Sequence, residues 1–330
     1  MGAPERHGQV VAPREAKILR RHRVAFVRVV HVPSVTLRIA GVRHWAVNAN
    51  PSDVLHQILG GTWQLLGRRD NDVYTDATRL VKVARHEDGA RRLAVGLHAA
   101  REFAAAGVPV VAPLRDKLLD TPLGAASLWP LVEHVHATGP ALGEDYARAL
   151  GRALVALSGA PPFPPTPWDP FARVPARLSG SEFSPALTGR IGELVNDLAP
   201  LATEVSRLET TFAHGDASIA NTLCLTDGRV KLIDLDSAGW RPRGWDLACL
   251  YVHLDLEAGN RAAFAALARE FSPSERRHVP RLALVKAAMA TTFALTLEPT
   301  ERRTQLLEHR VTQLHVWAGS RAPTALAPID

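Results

Sequence analysis

Residues 214–248 of this 330-residue chain contain three carboxylates and one amide at a distinctive spacing. Asp216 and Asn221 lie in HGDASIAN, Asp234 follows the apolar run VKLI, and Asp246 lies in GWDLA. Phosphoryl transfer from ATP uses such a set, because one carboxylate orients the attacking hydroxyl and accepts its proton while other oxygens hold Mg²⁺. Asp216 suits the first role, and Asn221 and Asp234 suit the second.

Each of these residues has an ordinary structural explanation when it is taken alone. An Asp after Gly is common in turns, and an Asn often caps a helix. An Asp also ends many buried strands in α/β proteins. The joint spacing favours catalysis, because a loop and two short strands must converge to bring Asp216, Asn221 and Asp234 together.

The segments HGDASIAN, VKLIDLD and GWRPRGWDLA resemble the aminoglycoside phosphotransferase family of small-molecule kinases. The resemblance implies an α+β, two-lobed, protein-kinase-like fold with a small antiparallel-sheet N-lobe and a larger, mainly helical C-lobe. It further implies a catalytic base at Asp216, Mg²⁺ ligands at Asn221 and Asp234, and a loop braced by His214 and Asp246. ATP or GTP would be the phosphoryl donor.

Hydrophobic periodicity predicts an N-lobe over residues 51–132. Ser52 suits the cap of a short helix in DVLHQIL. Strands are predicted in TWQLLG, NDVYTD and TRLVKVAR, then a helix over residues 89–106, which Gly107 and Pro109 end. VPVVAPL and ASLWPLVE are predicted as two further strands.

The remainder, residues 133–330, predicts a helical C-lobe that contains the catalytic stretch. Helical spacing recurs near 142–158 and at 186–209, 257–271, 275–297 and 300–318. The Pro-rich segment APPFPPTPWDPF predicts a stiff loop, and KLIDL predicts a short strand.

Lys82 lies at the centre of an apolar strand in a chain that has five Lys against 34 Arg. The resemblance implies that Lys82 contacts the α- and β-phosphates. An edge-strand lysine whose ammonium reaches solvent is the alternative explanation.

Two other segments are candidates for nucleotide contacts. The loop from Gly67 to Tyr74 would cover the phosphates with help from Arg69 and Asn71, although a polar hairpin turn explains the same residues. The backbone of Pro130, Leu131 and Val132 would bind adenine at a hinge between lobes, although an apolar linker explains these residues equally well.

One departure from the family concerns the partner of Lys82. The family's N-lobe helix usually supplies a Glu that pairs with this lysine, but Gly96 lies where that Glu is expected. Three explanations remain open: the register is different, Glu102 or Glu87 substitutes, or the enzyme is impaired.

The acceptor pocket is predicted between the catalytic loop and the C-terminal helices. A cationic acceptor, such as an aminoglycoside-like or aminocyclitol antibiotic, needs carboxylates there. The candidates are Asp169, Asp236, Asp255 and Glu257, and solvated surface acids are the alternative. Choline, homoserine or a sugar is the alternative acceptor.

Two other function classes each explain part of the sequence. The Gly96 departure and the single-glycine phosphate loop suggest a nucleotide-binding protein with little catalysis. The pairs His214/Asp216 and His253/Asp255 suggest a metal-dependent hydrolase, since His and carboxylate suit Zn²⁺ or Mn²⁺. The hydrolase hypothesis leaves Lys82 and Asn221 unexplained.

Composition limits the partners. The net charge of +6 comes from residues 1–50, which hold nine Lys or Arg and two acids, leaving 30 basic and 31 acidic residues elsewhere. We therefore expect a basic N-terminal extension, a hairpin over 24–48 or poorly ordered, rather than a nucleic-acid-binding protein. The lack of a long apolar run and of a signal-like N-terminus predicts a cytoplasmic protein without a membrane span. Separately, we expect a monomer or a homodimer. Two lone cysteines, Cys224 and Cys249, exclude a disulfide framework.

Overall fold

The computed structural model describes residues 50–68, 71–135, 138–159, 162–165 and 167–320. The hairpin predicted over residues 24–48 lies outside the described residues, and so does Arg69. The predicted N-terminal extension is therefore represented only by Asn50.

Helix α1 (Pro51–Leu59) opens the described chain. Its N-cap is Asn50, whose side chain accepts a hydrogen bond from the Ser52 N–H at 3.1 Å. The prediction of Ser52 as the cap is wrong. Pro51 suits the first helical position, because its φ is fixed and its missing N–H would have no partner there.

A five-stranded antiparallel sheet and one long helix form the N-lobe, and the strand order is β1-β2-β3-β5-β4. In chain order the elements are β1 (Gln64–Arg68), β2 (Asn71–Thr75), β3 (Arg79–Ala84), α2 (Glu87–Ala105), β4 (Leu119–Thr121) and β5 (Gly124–Pro130). The first three predicted strands, the helix and the last strand are confirmed.

The strand predicted in VPVVAPL is wrong. Its Val110 forms a single parallel bridge with Leu232 of the C-lobe, and hydrogen bonds join Val111 N–H to Leu232 O and Leu232 N–H to Pro109 O at 3.0 and 2.8 Å. Prolines lack the N–H that a longer ladder needs, so pairing stops after one bridge. The segment ties the two lobes together, and the three-residue β4 takes the expected place in the sheet.

The C-lobe is mainly helical and holds two short antiparallel ladders, β6–β9 and β7–β8. Its elements are α3 (Glu144–Ser158), α4 (Val174–Ser179), α5 (Pro185–Ser206), β6 (Thr210–Ala213), β7 (Thr222–Cys224), β8 (Val230–Leu232), β9 (Gly239–Pro242), α6 (Trp245–Leu250), a π-helical turn (Tyr251–Glu257), α7 (Arg261–Ala268), α8 (Pro273–Ala294) and α9 (Glu301–Ser320). The five predicted helices are confirmed, although α7 begins at Arg261 because the π-helical turn precedes it. The strand predicted in KLIDL ends at Leu232.

The larger hydrophobic core lies in the C-lobe, where α6, α8 and α3 pack around fully buried side chains such as Trp245, Trp317 and Phe212. Cys224 and Cys249 are both buried there as free thiols. None of the helices in the described part of the chain has the length and apolar content needed to cross a membrane.

Helix α8 runs through this core and begins with a capping box. The Ser272 hydroxyl accepts a hydrogen bond from the Glu275 N–H, and the Glu275 carboxylate accepts one from the Ser272 N–H at 2.8 Å. These reciprocal bonds satisfy N–H groups that a helix start leaves without partners.

We predict that Ser272→Ala lowers the free energy of unfolding by about 1 kcal/mol, because the first turn of α8 loses its cap. Urea denaturation of the purified protein measures the change. Ser158→Ala is the control, since the Ser158 hydroxyl bonds only to Val155 O within its own helix. Equal stability of the Ser272 variant and the wild type would contradict the prediction.

Candidate active site

The loop between β6 and β7 is held by a carboxylate from α6. Asp246 accepts hydrogen bonds from the N–H groups of His214 and Gly215 at 2.7 and 2.9 Å, and Trp245 Nε1–H donates to Gly215 O at 3.0 Å. Burial raises the pKa of Asp246, and the nearby His214 and the two N–H groups counteract the rise. The geometry supports the predicted bracing role of Asp246.

Gly215 makes the turn of this loop possible. Its φ is +84°, and a Cβ at this position would lie 2.2 Å from the Ser237 carbonyl oxygen. Any other residue would therefore be strained in its backbone and would collide with the following turn. The adjacent His214 lies at 0 % exposure, with Nε2 2.9 Å from Ile233 O, and links the loop to the end of β8.

Asp216 and Asn221 lie side by side at the end of this loop. Asn221 Nδ2 donates to the Asp216 backbone oxygen at 2.9 Å and lies 3.3 Å from its Oδ2. Both side chains are buried, and Asn221 Oδ1 has no hydrogen-bond partner among the described residues. An orphaned buried oxygen of this kind is suited to a cation.

Asp234 follows Ile233, whose N–H donates to Asn221 O at 3.1 Å, and its side chain reaches the other lobe. It adopts a left-handed backbone conformation, with φ +61° and ψ +53°, just after β8. Its Oδ1 lies 2.6 Å from Lys82 Nζ on β3, and Asp236 Oδ2 lies 3.4 Å from the same nitrogen. The side chains of Lys82, Asp234 and Asp236 are all largely shielded from solvent.

Two buried carboxylates therefore share one ammonium. Burial raises the pKa of Asp236 to about 7; Lys82 opposes this rise and Asp234 adds to it. The pKa of Lys82 is raised, because both carboxylates outweigh the effect of burial. Together with the unpartnered Asn221 Oδ1, this concentration of oxygen ligands fits a divalent cation held by Asn221 and Asp234.

A cleft opens beside Lys82 between the two lobes. Its walls include Val73 and Leu80 of the sheet, Trp129 to Val132 at and just after the end of β5, and Leu223 and Ile233 of the C-lobe. Apolar walls with a few polar groups are typical of nucleotide pockets. The predicted hinge residues Pro130, Leu131 and Val132 line it, but the Leu131 N–H already donates to Thr78 O at 2.8 Å.

The predicted phosphate-covering residues differ in placement. Arg69 lies outside the described residues. Asn71 is buried on β2, and its Nδ2 lies 3.5 Å from Asp236 Oδ2, so it faces the Lys82 cluster. The two acids considered as partners of Lys82 have other contacts: Glu102 bonds to Arg101, and Glu87 bonds to Arg91.

A second buried lysine, which the sequence analysis did not single out, contacts Asp216. Lys286 of α8 donates to Asp216 Oδ1 at 2.7 Å. Burial alone would raise the pKa of Asp216, but Lys286 lowers it below its ordinary value. The scarcity of lysine, together with the apolar helical context LVKAAMA, was a signal that could have identified Lys286.

The four carboxylates considered for the acceptor pocket lie in different surroundings. Glu257 bonds to Arg310 at 2.6 Å and to His253 at 2.8 Å, and these two contacts lower its pKa to about 2 against the effect of burial. Asp255 lies 3.2 Å from Arg261. Asp169 is exposed and accepts a hydrogen bond from Phe171 N–H, while Asp236 faces Lys82.

The hydrolase hypothesis finds little support in this arrangement. Its predicted ligands contact different groups: His214 bonds to Ile233 O, Asp216 to Lys286, His253 to Glu257, and Asp255 to Arg261. The described residues contain no group of three or more His, Cys, Asp or Glu that could hold a metal ion together.

Comparisons with solved structures identify the fold. The chain is similar to a choline/ethanolamine kinase family protein from Mesorhizobium loti, with 21% identity over 79% of this chain and 85% of that chain and a TM-score of 0.54. An amicoumacin kinase in complex with AMP-PNP, Ca²⁺ and Ami aligns over 81% and 90% with 13% identity and a TM-score of 0.62. A spectinomycin phosphotransferase in complex with ADP and spectinomycin aligns over 81% and 97% with 13% identity and a TM-score of 0.55. The predicted protein-kinase-like fold is confirmed.

A search among curated proteins finds no significant match. Residues 63–284, more than half of the chain, match the model of the phosphotransferase enzyme family. This range contains Lys82, the 214–221 loop and Asp246, so the family assignment and the site geometry concern the same residues. The chain belongs to the phosphotransferase enzyme family.

Proposed function

We propose that this phosphotransferase transfers the terminal phosphoryl group of ATP or GTP to a hydroxyl of a small polar molecule, with Asp216 orienting that hydroxyl. The observation that carries the proposal is the joining of three elements: Ile233, directly before Asp234, donates its N–H to Asn221 O at 3.1 Å, and Asp234 pairs with Lys82. The 214–221 loop contributes Asp216 and Asn221, the end of β8 contributes Asp234, and β3 contributes Lys82, whose Nζ lies 2.6 Å from Asp234.

Asn221 and Asp234 would hold Mg²⁺, which would neutralise negative charge on the phosphates when bound. Lys82 would bind the α- and β-phosphates from the opposite lobe, and the apolar cleft beside Trp129 would hold the base. The buried positions of Asn221 and Lys82 exclude water from these contacts and so strengthen them.

Asp216 is suited to orientation more than to strong basicity. The ammonium of Lys286 keeps its carboxylate ionised, so it can accept a hydrogen bond from an incoming hydroxyl. In phosphoryl transfer, the loose transition state leaves positioning and electrostatic stabilisation to supply most of the rate. Proton transfer to Asp216 would follow as the hydroxyl oxygen bonds to phosphorus.

The identity of the acceptor is a separate part of the proposal. We favour an aminoglycoside-like or aminocyclitol antibiotic, and choline, homoserine or a sugar is the second candidate. One observation favours the less cationic members of both groups: Glu257 and Asp255 already have arginine partners. A polycationic acceptor would have to compete with Arg310 and Arg261 for these carboxylates.

We predict that Asp216→Asn lowers kcat at least about 100-fold, because the hydroxyl loses its acceptor and its general base. Mass-spectrometric detection of the phosphorylated product, with circular dichroism to check folding, measures the effect. Asp227→Asn is the control, since Asp227 lies in an exposed turn and pairs with Arg229. A folded Asp216→Asn variant with substantial turnover would refute this role.

We predict that Lys286→Met lowers both kcat and the free energy of unfolding, the latter by about 3–5 kcal/mol, because it leaves the buried Asp216 carboxylate without its partner. The double variant Lys286→Met/Asp216→Asn should regain part of the lost stability, since the unpaired charge is gone. Lys117→Met, at an exposed position, is the control. If the double variant is no more stable than Lys286→Met, the pair does not stabilise the fold as argued.

We predict that a panel of hydroxylated compounds, incubated with enzyme, Mg²⁺ and ATP or GTP, contains at least one acceptor that gains the mass of one phosphate. Compounds with few amines should react faster than polycationic ones of similar size, because they need not displace Arg310 or Arg261. Charge-removing variants of those two arginines test the reason directly. Faster turnover of the most cationic compounds by the wild type would contradict the charge argument.

A further inference from the structure

Lys82 needs a counterion that remains beside it during the reaction. Lys82 is 8 % exposed, and a buried charge without a partner is strongly destabilising. Its shorter contact is with Asp234, which the proposed function assigns to the metal. A carboxylate that serves a divalent cation is less available to a lysine. The second contact, with Asp236 at 3.4 Å, has no other assigned role.

Gly96 shows that the helix makes room for this carboxylate. A Cβ built on Gly96 of α2 would lie 2.2 Å from Asp236 Oδ1 and 3.0 Å from the Asp236 backbone nitrogen. Any side chain at residue 96 would therefore push the carboxylate away. A glycine inside a helix costs about 1 kcal/mol relative to alanine, so its presence here calls for a packing reason. The position of Asp236 provides that reason.

The other neighbours of Asp236 also fit a carboxylate. Asn71 Nδ2 lies 3.5 Å from its Oδ2, and the buried Arg92, one turn before Gly96 on α2, contributes positive charge. Asp236 is thus surrounded by Lys82, an amide donor and an arginine. These contacts all come from β2, β3 and α2 of the N-lobe.

We propose that Asp236 is the positioning residue for Lys82, in place of the helix carboxylate with which kinase-like enzymes hold this lysine, and that Gly96 is its structural complement. The proposal rests on the proposed function, because it assumes that Lys82 contacts nucleotide phosphates. It assigns Asp236 to nucleotide binding and not to the acceptor pocket. It also explains how the chain functions without a Glu at residue 96.

A double-mutant cycle tests whether Asp236 acts through Lys82. The wild type, Asp236→Asn, Lys82→Met and the double variant are titrated with Mg·ATP and with ADP in EDTA by calorimetry. Asp236→Asn should weaken Mg·ATP binding about tenfold in the wild-type background and less than about twofold in the Lys82→Met background, since contacting residues are coupled. Asp120→Asn, an exposed acid on β4, should change neither affinity.

The same weakening in both backgrounds, or none in either, would overturn the proposal. The Tm of the protein without nucleotide tests the Asp236 proposal separately from the proposed function, because this measurement does not depend on nucleotide binding. Asp236→Asn should lower the Tm of the wild type, where Lys82 loses a partner, and should raise or leave unchanged the Tm of Lys82→Met. If the Tm effects of Asp236→Asn and Lys82→Met are coupled but no variant binds nucleotide, the proposed function is rejected and the ion pair is retained. If the two Tm effects are additive, the ion pair is rejected.

Gly96→Ala provides a second test that keeps Asp236 itself. The added methyl group should displace the carboxylate and weaken Mg·ATP binding, although alanine is the better helix former. Gly189→Ala in α5 is the matched control, since nothing lies within 4 Å of its Cβ position and its affinity should be unchanged. Unchanged nucleotide affinity of Gly96→Ala would overturn the role given to Gly96.

Discussion

The ion pair between Lys82 and the carboxylates of residues 234 and 236 is the interaction on which the site depends, because it joins the two lobes across the cleft. β3 supplies the lysine from the sheet, and the turn after β8 supplies both acids from the helical lobe. The charges are shielded from solvent, so neither side is stable there without the other. The apolar cleft between the lobes therefore contains one charge contact, Lys82 with Asp234, that joins its two sides.

The same principle recurs at the second lysine. Lys286 brings a cation from the middle of α8 to the Asp216 carboxylate, and its own raised pKa reflects that partner. Beyond it, Glu257 is balanced by His253 and Arg310. Positive and negative groups thus alternate from the catalytic loop into the helical core. Three of the four acids considered for the acceptor pocket are already balanced by cations, and the sequence alone offered no sign of this.

Local patterns predicted the elements well and the contacts between distant elements poorly. The strands around Lys82 and the long helices have clear periodicity, and the 214–248 spacing predicted the loop and the strand end that meet. VPVVAPL was wrongly predicted as a strand because the prediction relied on its apolar residues and neglected its two prolines, which have no N–H to donate to a ladder. Ser52 was wrongly predicted as a cap because Pro51 was overlooked as a first helical residue. The pairing of Lys286 with Asp216 spans 70 residues, and no local pattern encodes it.

The position of Asp236 gives Lys82, the lysine that we propose binds the phosphates, a partner outside α2. Where a helix carboxylate is the partner, movement of that helix breaks the pair and switches the enzyme off. Here both acids belong to the segment that follows β8, two residues apart, and α2 contributes the space at Gly96 and the charge of Arg92 rather than a carboxylate. A shift of α2 would therefore leave the Lys82 pair intact, and opening of the cleft between the lobes would break it. Under the proposed function the Lys82 pair is coupled to lobe closure, which a nucleotide that binds both lobes would favour.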